Sequence, residues 1–204
     1  MHHRLVAALT AAAQQGAGEV EVRASDGSFL ESTLEAAIAD RLPGRASTAQ
    51  QRRRLPLAGF EPFPYGVDIE WTLDGARVGI ETKVTDVLDS LFDIVKLATA
   101  VAHGHFTLGF CVIAATVRQL TEGGAVTAMV DAPAATWSEW HIEDLLIGAA
   151  KTAVLVGTGP RPRRVPARLR TMAVPTIEMP KAPTHVLQIL AVTATAEHLV
   201  ALPD

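Results

Sequence analysis

The chain has a single cysteine, no apolar run long enough to cross a bilayer, no excess of positive charge and no internal repeat. One cysteine, Cys111, excludes an intrachain disulfide framework. It lies in the apolar run LGFCVIAAT and reads as a small core residue in a reducing compartment, so a cytoplasmic location is expected. A bilayer-spanning helix needs ~20 apolar residues, and nothing here approaches that. The start, MHHRLVAALTAAAQQGAG, has the outline of a signal peptide, but Thr10 and the short apolar run favour a first helix. A formal net charge of −4 argues against coating nucleic acid by bulk charge, while leaving room for a local basic groove. GTGPRPRR lacks the lysine and helix of a phosphate-binding loop, and there is no G-x-S-x-G, helix-turn-helix, zinc finger or RNA-binding aromatic signature.

What is present fits one α/β domain over residues 1–204. The length allows a sizeable core, and 49% hydrophobic with 20% charged residues excludes disorder over most of it. Residues 3–14 read as an Ala-rich helix and 19–24 as a short strand. Asp26 or Ser28 can cap a helix running to about Arg41, with Leu30, Leu34, Ile38 and Leu42 four apart. Residues 44–65 read as irregular. Two alternating runs then flank Asp74-Gly75, a strong hairpin signal. A helix follows, capped by Thr85, with Val87, Leu91, Ile94, Val95 and Ala98 on one side. Residues 107–117 form a continuous apolar run, expected as a buried central strand. Beyond it, 125–130 reads as a strand, 136–150 as a helix capped by Ser138, 152–157 as a strand, 159–170 as a Pro/Arg-rich loop and 184–194 as a late strand. The order predicts a mixed central sheet flanked by helices.

The hairpin carries the chemistry. With Asp74 and Gly75 as a two-residue type I′ turn, partner numbers across the strands sum to 149. Leu73, Trp71, Ile69 and Val67 then face Ala76, Val78, Ile80 and Thr82 on an apolar side. On the other side Glu70 lies opposite Gly79, and Asp68 opposite Glu81, with Lys83 diagonal to Asp68. Residues i and i+2 share a face, so Glu81 and Lys83 point the same way. Directly opposed carboxylates ~5 Å apart repel unless a proton or cation lies between them. Two acids, a lysine and the space expected beside Gly79 suit a hard cation such as Mg²⁺ or Mn²⁺. A lone E-x-K is usually a solvated strand face. The opposed Asp68, the tight hairpin and the amphipathic helix that follows favour a site.

At these residues the sequence resembles the PD-(D/E)xK nuclease superfamily, over about 28–117. Asp68 matches the first acid, and Glu81 and Lys83 match the E-x-K. Glu35, or next Glu31, matches the acid of a preceding helix, and Asp93 and Lys96 resemble the polar signature of the following helix. Val67 replaces the usual proline. The resemblance implies a restriction-endonuclease-like core with a C-terminal α/β extension at about 118–204, and metal-dependent phosphodiester hydrolysis. Catalysis would rest on Asp68, Glu81, Lys83 and Glu35. Asp68, Glu81 and the Thr82 carbonyl would hold Mg²⁺ or Mn²⁺, with Glu31, Glu70, Asp93 and Lys96 around them. DNA is the expected polymer, with RNA as the alternative.

Of the 18 Lys and Arg residues, nine fall in two short segments: Arg45, Arg52, Arg53 and Arg54, then Arg161, Arg163, Arg164, Arg168 and Arg170. That clustering suits phosphate contact, with Arg52–Arg54 just before the hairpin the better placed. His103 and His105 read as turn or core residues. The C-terminal third, rich in apolar strands and prolines, suits an interface with a partner protein or a second copy.

Overall fold

Alternation between residues 67 and 84 builds the centre of the molecule. The computed structural model describes residues 1–20, 31–48, 66–85, 87, 90–145 and 164–201. Strands β2 (Ile69–Leu73) and β3 (Ala76–Val84) form the hairpin, with Asp74 and Gly75 at φ 51° and 79°. A type I′ turn requires positive φ at both positions. Ile69–Ile80, Glu70–Gly79, Trp71–Val78 and Leu73–Ala76 pair in the predicted register.

Strand β1 (Arg45–Thr48) adds to β2 where irregular chain was expected. Trp71 Nε1 donates to the Pro43 carbonyl at 2.6 Å and anchors that approach. Strand β4 (Leu108–Thr116) runs parallel to β3, and helix α3 (Ser90–Ala102) makes the crossover between them. Strand β9 (His185–Thr193) pairs antiparallel with β4, so a strand near the C-terminus lies mid-sheet. The order is completed by β7 (Arg168–Ala173) and the edge strand β5 (Ser138–His141), while β8 (Ile177–Glu178) also pairs with β9. β6 (Arg164–Pro166) and β10 (Leu199–Ala201) form a separate two-stranded sheet. The chain is thus α/β, with a mixed central sheet flanked by helices.

Each sheet face has its own apolar layer. Helices α1 (His2–Ala17) and α2 (Glu31–Ala39) bring Leu5, Leu9, Leu34 and Ile38 against Trp71, Ile80 and Phe110. On the opposite face α3 and α5 (Ala125–Val130) cover Cys111, Ile113 and Leu190. β4 feeds both layers by alternation, as its unbroken apolar run requires. Each fully buried Leu, Ile or Phe contributes roughly 1.5–3 kcal/mol, so this doubly covered strand is a main source of stability. A Cβ on Gly109 would lie 2.9 Å from Leu97 Cβ, so the glycine lets α3 ride close over β4.

Several expectations give way to tertiary context. Residues 125–130 are helix α5, with Val126 and Met129 buried three apart, not a strand. Within the helix expected at 136–150, Ser138–His141 are strand β5 and helix α6 (Ile142–Leu145) follows it, while 146–150 lie outside the described residues. Part of the expected loop at 159–170 is β6 and β7, where Leu169 and Thr171 alternate inward. Thr85 does not cap α3, which begins at Ser90. Its φ is 67°, rare for a β-branched residue, and its N–H donates to Ala114 O at 2.9 Å. The strands expected at 19–24 and 152–157 fall almost wholly outside the described residues.

Candidate active site

Because Val78 and Ile80 fill the layer of α1 and α2, Gly79, Glu81 and Lys83 face α3. Phe106 occupies the space beside Gly79: a Cβ there would meet its ring carbons at 2.7 and 2.8 Å. The glycine therefore admits an aromatic ring, not the open space for metal and water read from the sequence. Glu81 pairs in register with Cys111 on β4, and its carboxylate is 4% exposed.

A buried carboxylate needs a partner, and α3 supplies one. Lys96 Nζ lies 2.7 Å from Glu81 Oε1 and 3.3 Å from Asp93 Oδ1, while Lys83 Nζ lies 3.2 Å from Asp93 Oδ2. The result is a chain of alternating charge, Glu81, Lys96, Asp93, Lys83, joining strand to helix. Burial pushes the Glu81 carboxyl up, against the lowering effect of Lys96, and Asp93 and Asp68 push it further. Burial works against the Lys83 ammonium, but Asp93 and then Glu31 outweigh it, and the pKa rises. Lys96 is likewise opposed by burial and raised by Glu81 and Asp93. Burial also raises the neighbouring Cys111 thiol, with Asp93 and Glu81 adding to it.

Asp68 joins differently from the predicted geometry. The β2–β3 ladder stops at Ile69–Ile80, and Asp68 lies outside it. Its Oδ2 accepts from the Thr82 N–H at 2.8 Å and the Thr82 hydroxyl at 3.2 Å. A carboxylate thus satisfies the strand amide beyond the ladder's end, and the alternation breaks there. Val67 consequently packs in the α3 layer, opposite Ile69, and not on the expected shared face. Asp68 remains within electrostatic reach of Glu81 and Lys96.

The two helical acids occupy successive turns of α2. Glu31 accepts from the Val84 N–H and lies within the field of Lys83, Asp68 and Asp93. Its pKa is raised by burial first, with Lys83 acting in the lowering direction. Glu35 is buried beside Leu34 in the sequence of α2. Glu70 sits opposite Gly79 and Ser47. Arg52, Arg53, Arg54, Arg161 and Arg163 lie outside the described residues, and only the backbone of Arg164 is described, in β6. On β7, Arg168 Nη1 meets Glu139 Oε1 at 3.2 Å and the Arg170 guanidinium stands 5.6 Å from the Trp137 ring centroid.

No family model, curated protein or solved structure matches the chain.

Four carboxylates (Glu31, Asp68, Glu81, Asp93) against two ammoniums (Lys83, Lys96) leave a net charge of −2 when all are ionised. The buried oxygens Glu81 Oε1 and Asp93 Oδ2 have no hydrogen bond of good angle, although lysine charges stand at ion-pair distance. Carboxylate oxygens with a −2 surplus are the donor type that hard divalent ions such as Mg²⁺ or Mn²⁺ take, and here lysine ammoniums occupy them. Among the described residues no three His, Cys, Asp or Glu side chains are already gathered around one ion position. Lys96 stands against the Glu81 oxygen that such an ion would use.

Proposed function

We propose that this chain is a divalent-metal-dependent nuclease of the PD-(D/E)xK kind, with a restriction-endonuclease-like core, that hydrolyses phosphodiester bonds in DNA. The supporting observation is the joining of the half-buried Asp68, Lys83 and Glu31 with the buried Glu81 into one net-negative network at the end of the hairpin. A solvated strand face would not bury Glu81 or bring a helix to neutralise it.

Asp68, Glu81 and the Thr82 carbonyl would hold the ion. When bound it would neutralise the scissile phosphate and lower the pKa of a coordinated water. Asp68, fixed by two hydrogen bonds from Thr82, presents its carboxylate at one place. Lys83, ion-paired with Asp93, would position or deprotonate the attacking water and steady charge developing on the phosphate. Glu31, tied to the Val84 N–H, orients Lys83 from α2.

Purified protein should be incubated with plasmid, single-stranded DNA and RNA in Mg²⁺, Mn²⁺ or EDTA. The expected result is DNA cleavage with either ion, none in EDTA, and a rate lower by about 10²-fold or more in Lys83→Ala, the scale of losing one charge-stabilising donor. Metal-independent binding without cleavage of any polymer would instead make the chain a catalytically silent binding or assembly module. RNA cleavage alone would move the substrate class and keep the chemistry.

A further inference from the structure

Lys96 stands on the opposite element from the hairpin and is nearly as buried as the carboxylate it meets: the two side chains are 6% and 4% exposed. Its nitrogen is 2.7 Å from Glu81 Oε1, an oxygen assigned above to the metal. An ammonium and a divalent ion cannot share one buried oxygen without strong repulsion in a low-dielectric setting. The lysine has a second carboxylate in reach, Asp93 Oδ1 at 3.3 Å, which belongs to its own helix three residues back. It can therefore release Glu81 and remain ion-paired.

We propose that Lys96 is a resident counter-ion of the site that sets its metal affinity, holding Glu81 in the metal-free protein and retreating onto Asp93 when a divalent ion enters. The proposal rests on the metal-dependent reading of the site. Lys96 is in this account a positioning residue, acting through Glu81, and it does two opposed things. It stabilises the metal-free fold by neutralising a buried carboxylate, and it weakens metal binding by competing for the same oxygen. A merely structural ion pair would do only the first.

The test uses the full chain and Mn²⁺ as probe, with titration calorimetry and thermal unfolding of wild type, Lys96→Met and the double variant Glu81→Gln/Lys96→Met. Methionine keeps the apolar stem of the lysine and removes its charge. Lys96→Met should melt below wild type in EDTA, bind Mn²⁺ on the order of ten-fold more tightly or better, and gain more from the ion than wild type does. The double variant, with neither charge, should recover stability in EDTA and gain little from Mn²⁺. If Lys96→Met binds Mn²⁺ no more tightly than wild type, or does not fold even with Mn²⁺ to replace the lost charge, the proposal is overturned and the nuclease reading stands. If neither wild type nor Lys96→Met binds Mn²⁺, both readings fall together.

Discussion

Two ammoniums and four carboxylates gather around the end of β3, and their burial and mutual charge determine how the fold answers to pH. Lys83 and Lys96 have pKa values raised above the ordinary 10.5. Their contribution to stability is therefore complete below 10.5 and is lost as pH rises through the higher folded values. Glu81 is raised too, so its contribution has the same sign in a lower window, falling as pH rises above the usual carboxylate range. In EDTA, the stability gap between wild type and Lys83→Met should hold steady from pH 8 to about 10 and close above that. Urea unfolding across this range measures it, and a gap unchanged into strong alkali would show that Lys83 is not held by the charges around it. The shared face of Glu81 and Lys83 is legible in the sequence because a two-residue turn and a period of two fix what faces what, whereas the same rule misplaces Asp68, which lies beyond the end of the ladder. Lys96 and Asp93 could be singled out only through a resemblance, since their contacts depend on how α3 docks. Gly79 was misread because the ring that fills its space comes from Phe106, beyond the crossover helix. Cys111 was read as core without its cross-strand neighbour Glu81, because the parallel register is set by α3 and not by local sequence.

At the scale of elements, the close approach of loop, strand and helix is what brings the charges together. Gly79→Ala would press a methyl group to 2.7 Å from the Phe106 ring. Overpacking of this kind costs about 1–3 kcal/mol, read as a lower urea midpoint at unchanged slope. A variant as stable as wild type would mean that Phe106 shifts freely and does not define the wall beside Glu81. The elements misread from sequence share one cause. AVTAMV is short, apolar and β-branched, and such a run is ambiguous between strand and buried helix until its neighbours are known. TWSEWH shows the converse: a serine placed like a cap leads into an edge strand because β7 offers a ladder. Helix α4 (Val117–Thr121) did leave a local mark, the T-x-x-Q of a capping box, in which Thr116 accepts from the Gln119 N–H and the Gln119 side chain accepts from the Thr116 N–H.

Over the whole molecule, the mixed sheet was foreseeable from the alternation of helical and strand periods, but its strand order was not. β9 lies in the middle because β4 is apolar on both faces and needs a partner on its second edge. It is paired from Gly109 to Thr116 against Val192 to His185. The carboxylate network therefore stands on a strand pair whose far side is completed by the C-terminal part of the chain. A fragment ending at residue 117 would expose that edge and should be unfolded or aggregated. Circular dichroism with urea decides this, and a cooperative transition in the fragment would contradict it. The account as a whole stands on Asp68 and Glu81 sharing one hard ion beside the Lys83 ammonium. Anomalous diffraction from crystals grown with Mn²⁺ tests this most directly. The account predicts a single peak held by both carboxylates, with Lys96 moved off Glu81. A peak elsewhere, or none in a protein that still cleaves DNA, would contradict it.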